Sequence, residues 1–125
     1  MTEFDVRSYV AAFNANDFEF FSRFYAKDVI YELWTRERIV GHENLMAFYR
    51  TVKAHVIELV ELLDVVVTPS RVTMHSRVSY ETVKQWPDPQ NWASRLGDKK
   101  VIETITLCEV EDHRFTHVRG AKFKF

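Results

Sequence analysis

The spacing of hydrophobic residues changes once along the chain. Up to residue 55, apolar side chains recur every three or four positions, which predicts amphipathic helices. From Val56 onward they recur every second position, which predicts strands. The chain therefore divides into a helical first part and a strand-rich second part.

The first part predicts three helices and a short strand. A weak capping-box pattern precedes the first helix, and the apolar faces of the helices lie within residues 6–13, 18–25 and 45–52. Residues 29–35 are rich in β-forming side chains and predict the strand. Gly41 ends a brief extended piece before the third helix.

The second part predicts four long strands. They cover residues 56–68, 71–83, 99–110 and 115–125. The segment 84–97, between the second and third of these strands, has no clear period and carries two tryptophans. Connections of that length are usually functional or mobile in compact domains. Helices followed by a separate antiparallel meander indicate an α+β fold.

Length and charge restrict the function classes. With 125 residues the chain forms one domain, residues 1–125. Its 17 basic and 18 acidic side chains give a net charge of -1, without the basic excess of a nucleic-acid-binding protein. The longest apolar stretch is interrupted by Glu58, Glu61 and Asp64, so we expect no membrane span. The acidic N-terminus and the single cysteine, Cys108, predict a cytoplasmic protein without disulfides.

The chain is rich in aromatic side chains, with ten Phe, five Tyr and three Trp. In a small domain these rings can serve only to fill the core. The alternative is that several of them line a pocket for a flat or polycyclic apolar ligand. Both explanations stay open at this point.

Four segments of the chain carry a family resemblance. They are Phe-Asn-Ala-Asn-Asp-Phe at 13–18, Tyr-Ala-Lys-Asp-Val at 25–29, Gly-His-Glu-Asn-Leu-Met-Ala-Phe-Tyr at 41–49, and Glu-Asp-His-Arg-Phe-Thr-His-Val-Arg at 111–119. In this order they resemble the nuclear transport factor two-like superfamily, which includes SnoaL-like polyketide cyclases and ketosteroid isomerase. The resemblance implies a cone-shaped α+β barrel with three N-terminal helices packed on a curved antiparallel sheet, and a pocket between them. The Trp86-Pro87 segment is similar to the SnoaL-like branch.

The resemblance also aligns individual residues. Tyr9 falls at the position of the tyrosine that stabilises the oxyanion in ketosteroid isomerase. The aspartate base of that enzyme falls at Leu33, and its second oxyanion donor, a protonated aspartate, falls at Thr106. Because Leu33 carries no proton-transfer group and Thr106 is not a carboxylic acid, we do not expect ketosteroid isomerisation by the usual residues. The fold hosts enzymes of several kinds as well as binders, so it does not fix the reaction.

Strand parity and the resemblance together give an expected pocket lining. Tyr9, Tyr31 and Tyr80 would position a substrate and stabilise developing negative charge. The other expected substrate-binding residues are Phe13, Leu33, Val78, Thr104, Thr106, Val118 and Gly120 in the helices and strands, Arg38 in a loop, and Trp86 and Trp92 over the mouth. Each tyrosine could instead be a core ring whose hydroxyl reaches the backbone or water.

Two residues are expected as proton carriers. His55 lies where the third helix meets the first long strand, and its imidazole could titrate near neutral pH. Glu32 flanks Leu33 and would face the pocket only if the strand contains a bulge. A structural explanation stays open for both, because a helix C-terminus favours a histidine and Glu32 can point into solvent.

The sequence contains no motif for a metal or a cofactor. His113 and His117 are four residues apart, but they fall across a turn and a strand rather than on one helix face. The three glycines form no phosphate-binding loop. We therefore expect neither a metal nor a cofactor.

One strand of the second part is apolar on both of its sides. Val101, Ile105 and Leu107 share the side opposite to the expected pocket. Apolar residues on both sides of a strand indicate that both sides are covered, and in so small a protein a second subunit is a suitable cover. We therefore expect a homodimer through the sheet.

These features predict a cofactor-independent isomerase, cyclase or dehydratase. It would act by proton transfer on a hydrophobic small molecule such as a polyketide, terpenoid or alkaloid intermediate. The alternative is a non-enzymatic small-molecule-binding or dimeric interaction module. The leucine at position 33 favours that alternative, because the expected lining then contains no clear carboxylate.

Overall fold

Three helices and a six-stranded sheet make up the chain in a computed structural model, which describes residues 1–35, 37–86 and 95–124. The helices are α1 (Glu3–Asn14), α2 (Phe18–Phe21) and α3 (His42–His55). The strands are β1 (Tyr25–Glu32), β2 (Arg38–Val40), β3 (Val56–Val67), β4 (Arg71–Thr82), β5 (Lys99–Glu111) and β6 (Arg114–Lys124). The α+β class is as the sequence predicts. Among the described residues, no helix is long and apolar enough to cross a membrane.

The sheet is mixed and open. Its strand order is β2-β1-β6-β5-β4-β3, with β1 parallel to β6 and every other neighbouring pair antiparallel. The resemblance implied a barrel built from an antiparallel sheet. The sheet is instead open, and one of its strand pairs is parallel. Closure would need hydrogen bonds between β2 and β3, but β2 has only three residues and ends at the start of α3, so it leaves β3 as a free edge.

The second helix is shorter than its aromatic spacing predicts. The side chain of Asp17 accepts a hydrogen bond from the backbone N–H of Phe20 and caps α2, which ends at Phe21. A turn of 3-10 helix follows, and β1 already begins at Tyr25, four residues before the expected strand. Pairing of Tyr25 with Phe115 on β6 decides this boundary, since ladder contacts override the local helical period.

Aromatic rings fill the space between the helices and the inner face of the sheet. On α1, Tyr9 and Phe13 are buried; the ring of Phe13 lies 5.2 Å from that of Tyr49 on α3, at nearly a right angle. The ring of Tyr9 meets Phe115 on β6 at 5.3 Å, also edge to face. Edge-to-face pairs add to the stabilisation that burial of apolar area already gives. These contacts fix the height of the helices above the sheet.

The outer face of the sheet is partly apolar and open to solvent. The larger exposed side chains on its strands are Ile57, Leu59, Leu63, Val66, Val101, Ile105, Leu107 and Phe123. Between them lie cross-strand ion pairs, including His75 with Glu103 at 3.1 Å and Arg77 with Glu61 at 3.2 Å.

A side-chain amide on α1 pairs with the free edge of the sheet. The Asn14 side chain accepts a hydrogen bond from the backbone N–H of Val60 at 2.8 Å and donates one to the Val60 carbonyl at 2.9 Å. Val60 lies on the edge strand β3, so these backbone groups have no neighbouring strand to bind them. Asn14 thereby attaches the end of α1 to β3 and protects the middle of an exposed edge.

Replacing Asn14 with Ala should destabilise the protein, because it leaves both partly buried groups of Val60 without a partner. We expect a loss of about 1–3 kcal/mol in the free energy of unfolding, measured by urea denaturation. Asn44→Ala is a matched control, since the Asn44 side chain makes one exposed hydrogen bond to the Val40 carbonyl. Equal losses in the two variants would contradict the role of Asn14 at the edge.

Candidate active site

A cavity of about 110 Å³ lies between the helices and the inner face of the sheet. Its wall contains aromatic, aliphatic and hydroxyl-bearing side chains and one carboxylate. The lining residues are Tyr9, Val10, Phe13, Tyr31, Leu33, Trp34, Thr35, Phe48, Tyr49, Val52, Glu58, Val60, Met74, Ser76, Val78, Tyr80, Trp86, Thr104, Thr106, Cys108, Phe115 and Val118.

Most of the residues expected in the pocket lie in this wall. They are Tyr9, Phe13, Tyr31, Leu33, Val78, Tyr80, Trp86, Thr104, Thr106 and Val118. Gly120 is not in the wall, because the indole ring of Trp34 covers it; a Cβ atom at Gly120 would lie 3.5 Å from that ring. Trp92 lies outside the described residues.

The proton carriers expected from the sequence lie away from the cavity wall. The ring of His55 stacks on Trp86 at 5.1 Å, and its Nδ1 is 2.7 Å from the carbonyl of Thr51. The register of β1 shifts between Tyr25 and Ile30, but Glu32 lies after the shift and alternates with Tyr31, which lines the cavity. The Glu32 carboxylate pairs with Arg38 at 3.3 Å and with His117 at 3.2 Å. Hydrogen bonds and charge from His117, with a smaller contribution from Arg38, lower the pKa of Glu32. Arg38 itself lines a shallow neighbouring groove.

Four tyrosines form two hydrogen-bonded pairs in and behind the wall. The hydroxyl of Tyr9 bonds to that of Tyr25, and the hydroxyl of Tyr31 bonds to that of Tyr49. Burial raises the pKa of all four, so they remain neutral at physiological pH. Each pair has two hydroxyl protons but uses only one between its members, which leaves one O–H per pair able to donate elsewhere.

The only carboxylate among the described lining residues belongs to Glu58 on β3. Its side chain alternates in phase with the inward Val56 and Val60, which places it on the inner face. Glu58 is one of the cavity-lining residues, and Tyr80, its cross-strand neighbour, hydrogen-bonds to the carboxyl group. Burial raises the pKa of Glu58 from 4.5 to about 7.

Lys53 on α3 is the charged residue that most affects Glu58. Its ammonium group donates hydrogen bonds to the Phe13 carbonyl at 2.7 Å and to the Asn16 side chain at 2.8 Å, and lies 3.7 Å from the centre of the Phe13 ring. These contacts hold it at the C-terminal end of α1, where the helix dipole favours a cation. Its charge lowers the pKa of Glu58, but by less than burial raises it.

Glu58 was not among the residues expected at the cavity, although the sequence contains a signal for its position. Glu58 was noted only because it interrupts an apolar stretch. Its even spacing from Val56 and Val60 also places a carboxylate on the face that has to be buried, which is unusual enough to indicate a site. Tyr49 and Trp34 were missed as well, because helix orientation and the turn after β1 decide where they point.

The cavity wall also contains the thiol of Cys108. Burial raises the pKa of the Cys108 thiol to about 12, so it is a neutral wall residue rather than a thiolate nucleophile. Within residues 1–35, 37–86 and 95–124, no group of three or more His, Cys, Asp or Glu side chains is arranged to hold a metal ion.

Several solved structures share this fold. A protein from Xanthomonas campestris pv. campestris, provisionally named a polyketide cyclase, matches with a TM-score of 0.79 and 22% identity over 93% of this chain and 85% of that chain. An epoxide hydrolase from M. tuberculosis matches with a TM-score of 0.76 and 17% identity over 95% and 80%. A protein of ketosteroid isomerase-like fold from Catenulispora acidiphila, in complex with trimethylamine, matches with a TM-score of 0.76 and 15% identity over 97% and 86%. At these identities the likeness shows the fold alone.

The sequence itself carries a family match. None of the curated proteins matches the chain. The profile of the SnoaL-like domain matches residues 6–118, which is most of the chain. That range runs from α1 into β6 and includes every cavity-lining residue. The chain therefore belongs to the SnoaL-like domain family.

Proposed function

We propose that this protein is an acid–base enzyme that isomerises, cyclises or dehydrates a small hydrophobic molecule, with Glu58 as the proton carrier. The observation that carries the proposal is the buried Glu58 carboxyl group at the cavity, with its pKa raised to about 7. A group with that pKa is present in both protonation states near neutral pH, which suits a general acid and base.

The tyrosines supply the complementary part of the chemistry. As a carboxylate, Glu58 would remove a proton from a carbon next to a carbonyl group, and negative charge would move to the carbonyl oxygen. One free O–H from the Tyr9–Tyr25 pair or the Tyr31–Tyr49 pair would donate a hydrogen bond to that oxygen. Glu58 would then return the proton to another carbon, or to a hydroxyl that leaves as water. Tyr80 would hold the carboxyl group in place.

The family and its structural neighbours support this reaction class. Neighbours of the same fold are named polyketide cyclase and epoxide hydrolase, which are activities on small organic molecules. The neighbour that holds trimethylamine shows that a protein of this fold can bind a very small ligand. The cavity of about 110 Å³ favours a small substrate too, because sites for drug-sized ligands measure about 300–1,000 Å³. Polycyclic polyketide, terpenoid or alkaloid intermediates would need a wider cavity.

A non-enzymatic binding module is the second candidate. Two observations favour it: the tyrosine hydroxyls partly satisfy one another, and neither His55 nor Glu32 reaches the cavity wall. In that case the cavity would hold a ligand without moving a proton. The hydrogen-exchange experiment below separates the two, because a binding module accelerates no exchange.

We also propose that a second copy of the chain covers the outer face of the sheet. Leu107 is 42% exposed and Val101 is 53% exposed on β5, and Leu59 on the edge strand β3 is 45% exposed. Apolar side chains therefore lie on β5 and β3, on the two sides of the polar outer side of β4, and exposed apolar surface of this extent marks an interaction site. The ion pair of Arg77 with Glu61 on this face suits an interface of two identical faces, since the pair already neutralises its own charge.

Glu58→Gln should abolish proton transfer, because an amide cannot carry the proton. The measurement is exchange of the α-protons of a panel of small ketones in D₂O, followed by NMR. We expect the exchange rate to fall by about 10²–10⁴. For the unmodified protein the rate should rise with pH through about 7, as Glu58 ionises.

Glu19→Gln is the matched control for this experiment. Glu19 lies on α2, outside the cavity wall and the sheet, and its exposed side chain pairs with Arg23. We expect its exchange rate to equal that of the unmodified protein. If the unmodified protein exchanges none of the ketones faster than buffer, or if Glu58→Gln exchanges them as fast, the role of Glu58 is disproved.

The raised pKa of Glu58 also predicts how stability depends on pH. Because the folded state holds the Glu58 proton more tightly than the unfolded state does, this contribution is fully present below pH 4.5 and is lost as pH rises to about 7. Urea denaturation at about pH 5 and about pH 8 should therefore show a smaller loss of stability in Glu58→Gln than in the unmodified protein. Identical losses would mean that the pKa of Glu58 is not raised.

The proposed dimer is tested by analytical ultracentrifugation. We expect a mass of twice the 14.9 kDa chain, and a monomer when Ile105→Glu and Leu107→Glu are combined. Both side chains are exposed in the single chain, so folding should survive, which circular dichroism can check. Leu96→Glu is the control, because Leu96 is 72% exposed and lies outside the sheet. A monomeric unmodified protein at high micromolar concentration contradicts the proposal.

A further inference from the structure

We propose that the cavity recognises a small organic cation, such as a tertiary or quaternary ammonium group, with the Glu58 carboxylate as its counter-ion and aromatic rings as its walls. This inference names the substrate class of the same cavity and rests on the proposed exposure of Glu58 to the ligand. It goes beyond proton transfer, because it assigns charge to the molecule that enters.

The first argument is the charge balance of Glu58. Among the described residues its hydrogen-bond partner is the neutral hydroxyl of Tyr80. Lys53 contributes charge, but its ammonium protons are directed to the Phe13 carbonyl and the Asn16 side chain rather than to the carboxylate. A buried carboxylate without a direct cation is costly, so a cation that enters the cavity gains more there than a neutral molecule does.

The second argument is the composition of the wall. Aromatic rings from five parts of the fold line the cavity together with Glu58. They are Tyr9 and Phe13 on α1, Phe48 and Tyr49 on α3, Tyr80 and Trp86 on and after β4, Tyr31 and Trp34 on and after β1, and Phe115 on β6. The faces of such rings attract a cation, most strongly where water is excluded, and they suit methylated ammonium groups that cannot donate hydrogen bonds well.

The third argument is size. A cavity of about 150 Å³ holds benzene, which has six heavy atoms. The cavity here is about 110 Å³, so it suits a ligand of roughly four or five heavy atoms. A tetramethylammonium ion lies at the upper end of this range and has a nearly spherical shape. A larger substrate could place an ammonium group of this size in the cavity and leave its remainder towards the mouth.

The experiment compares tetramethylammonium chloride with tert-butanol, a neutral molecule of the same number of heavy atoms. Calorimetric titrations at about pH 8 and constant ionic strength should show at least about tenfold tighter binding of the cation. Glu58→Gln should weaken cation binding about tenfold or more and leave binding of tert-butanol within about twofold. Glu19→Gln should change neither.

The pH dependence gives a second readout, since tetramethylammonium does not titrate. Cation affinity should rise about tenfold between pH 6 and pH 8, because the charged fraction of Glu58 rises by that factor around a pKa of about 7. The other titratable groups that interact with Glu58 are Lys53 and Tyr49 from α3, Tyr80 from β4, Tyr9 from α1 and Tyr31 from β1; Lys100 on β5 is the exposed register partner of Tyr80. The four tyrosines stay neutral over this range because burial raises the pKa of each.

Phe48→Leu tests the wall independently of Glu58. It removes one ring and keeps an apolar side chain, so we expect a larger loss of affinity for tetramethylammonium than for tert-butanol. Equal affinity of the unmodified protein for the two probes, no binding of the cation at millimolar concentration, or an unchanged preference in Glu58→Gln would each overturn the inference.

Failure of this inference differs from failure of the proposed function. If Glu58→Gln abolishes ketone exchange while the unmodified protein shows no preference for tetramethylammonium, the cation inference is wrong and acid–base catalysis by Glu58 stands. If the preference for the cation depends on Glu58 but no ketone exchanges, the inference holds and acid–base catalysis is disproved for those ketones.

Discussion

The packing of aromatic rings from α1 and α3 against the inner face of the sheet is the constraint on which the rest of the structure depends. Phe13 is at its centre, because its ring contacts those of Tyr9, Phe21 and Tyr49 and lies beneath the ammonium group of Lys53. The cavity lies between these rings and the inner face of the sheet. The packing that holds the helices in place therefore also determines which side chains form the cavity wall.

The cavity contains one group that a core would normally exclude. A carboxylate at Glu58 costs free energy when it leaves water, and the structure offsets this cost in part through the hydroxyl of Tyr80 and the charge of Lys53. The offset is incomplete, because burial raises the pKa of Glu58 by more than Lys53 and Tyr80 lower it. Such a carboxyl group, next to neutral tyrosines, can exchange protons with a ligand or attract a cation. The proposed proton transfer and the proposed cation binding both depend on this incomplete compensation of the Glu58 charge.

The two faces of the sheet differ in their side chains and in what they contact. The inner face carries the cavity, and Asn14 attaches α1 to the edge strand β3 close to Glu58. The outer face carries exposed apolar residues separated by ion pairs such as His75 with Glu103. Covering the outer face with a second copy would stiffen β3, β4 and β5, the strands that hold Glu58, Tyr80 and the cavity threonines. In the proposed dimer, assembly and the site would therefore be linked through shared strands.

Residue patterns alone were sufficient to predict the α+β class, the family and much of the cavity wall. Alternation along β4 and β5 is sufficient to place Val78, Tyr80, Thr104 and Thr106 on one face, because the side-chain period of a strand is strictly two. Three features could be seen only in the three-dimensional fold. The sheet is open, β1 starts at Tyr25, and Glu58 rather than His55 or Glu32 lines the cavity. These features depend on which strands pair and on how the helices cross the sheet, and contacts between residues far apart in the chain leave no local period in the sequence.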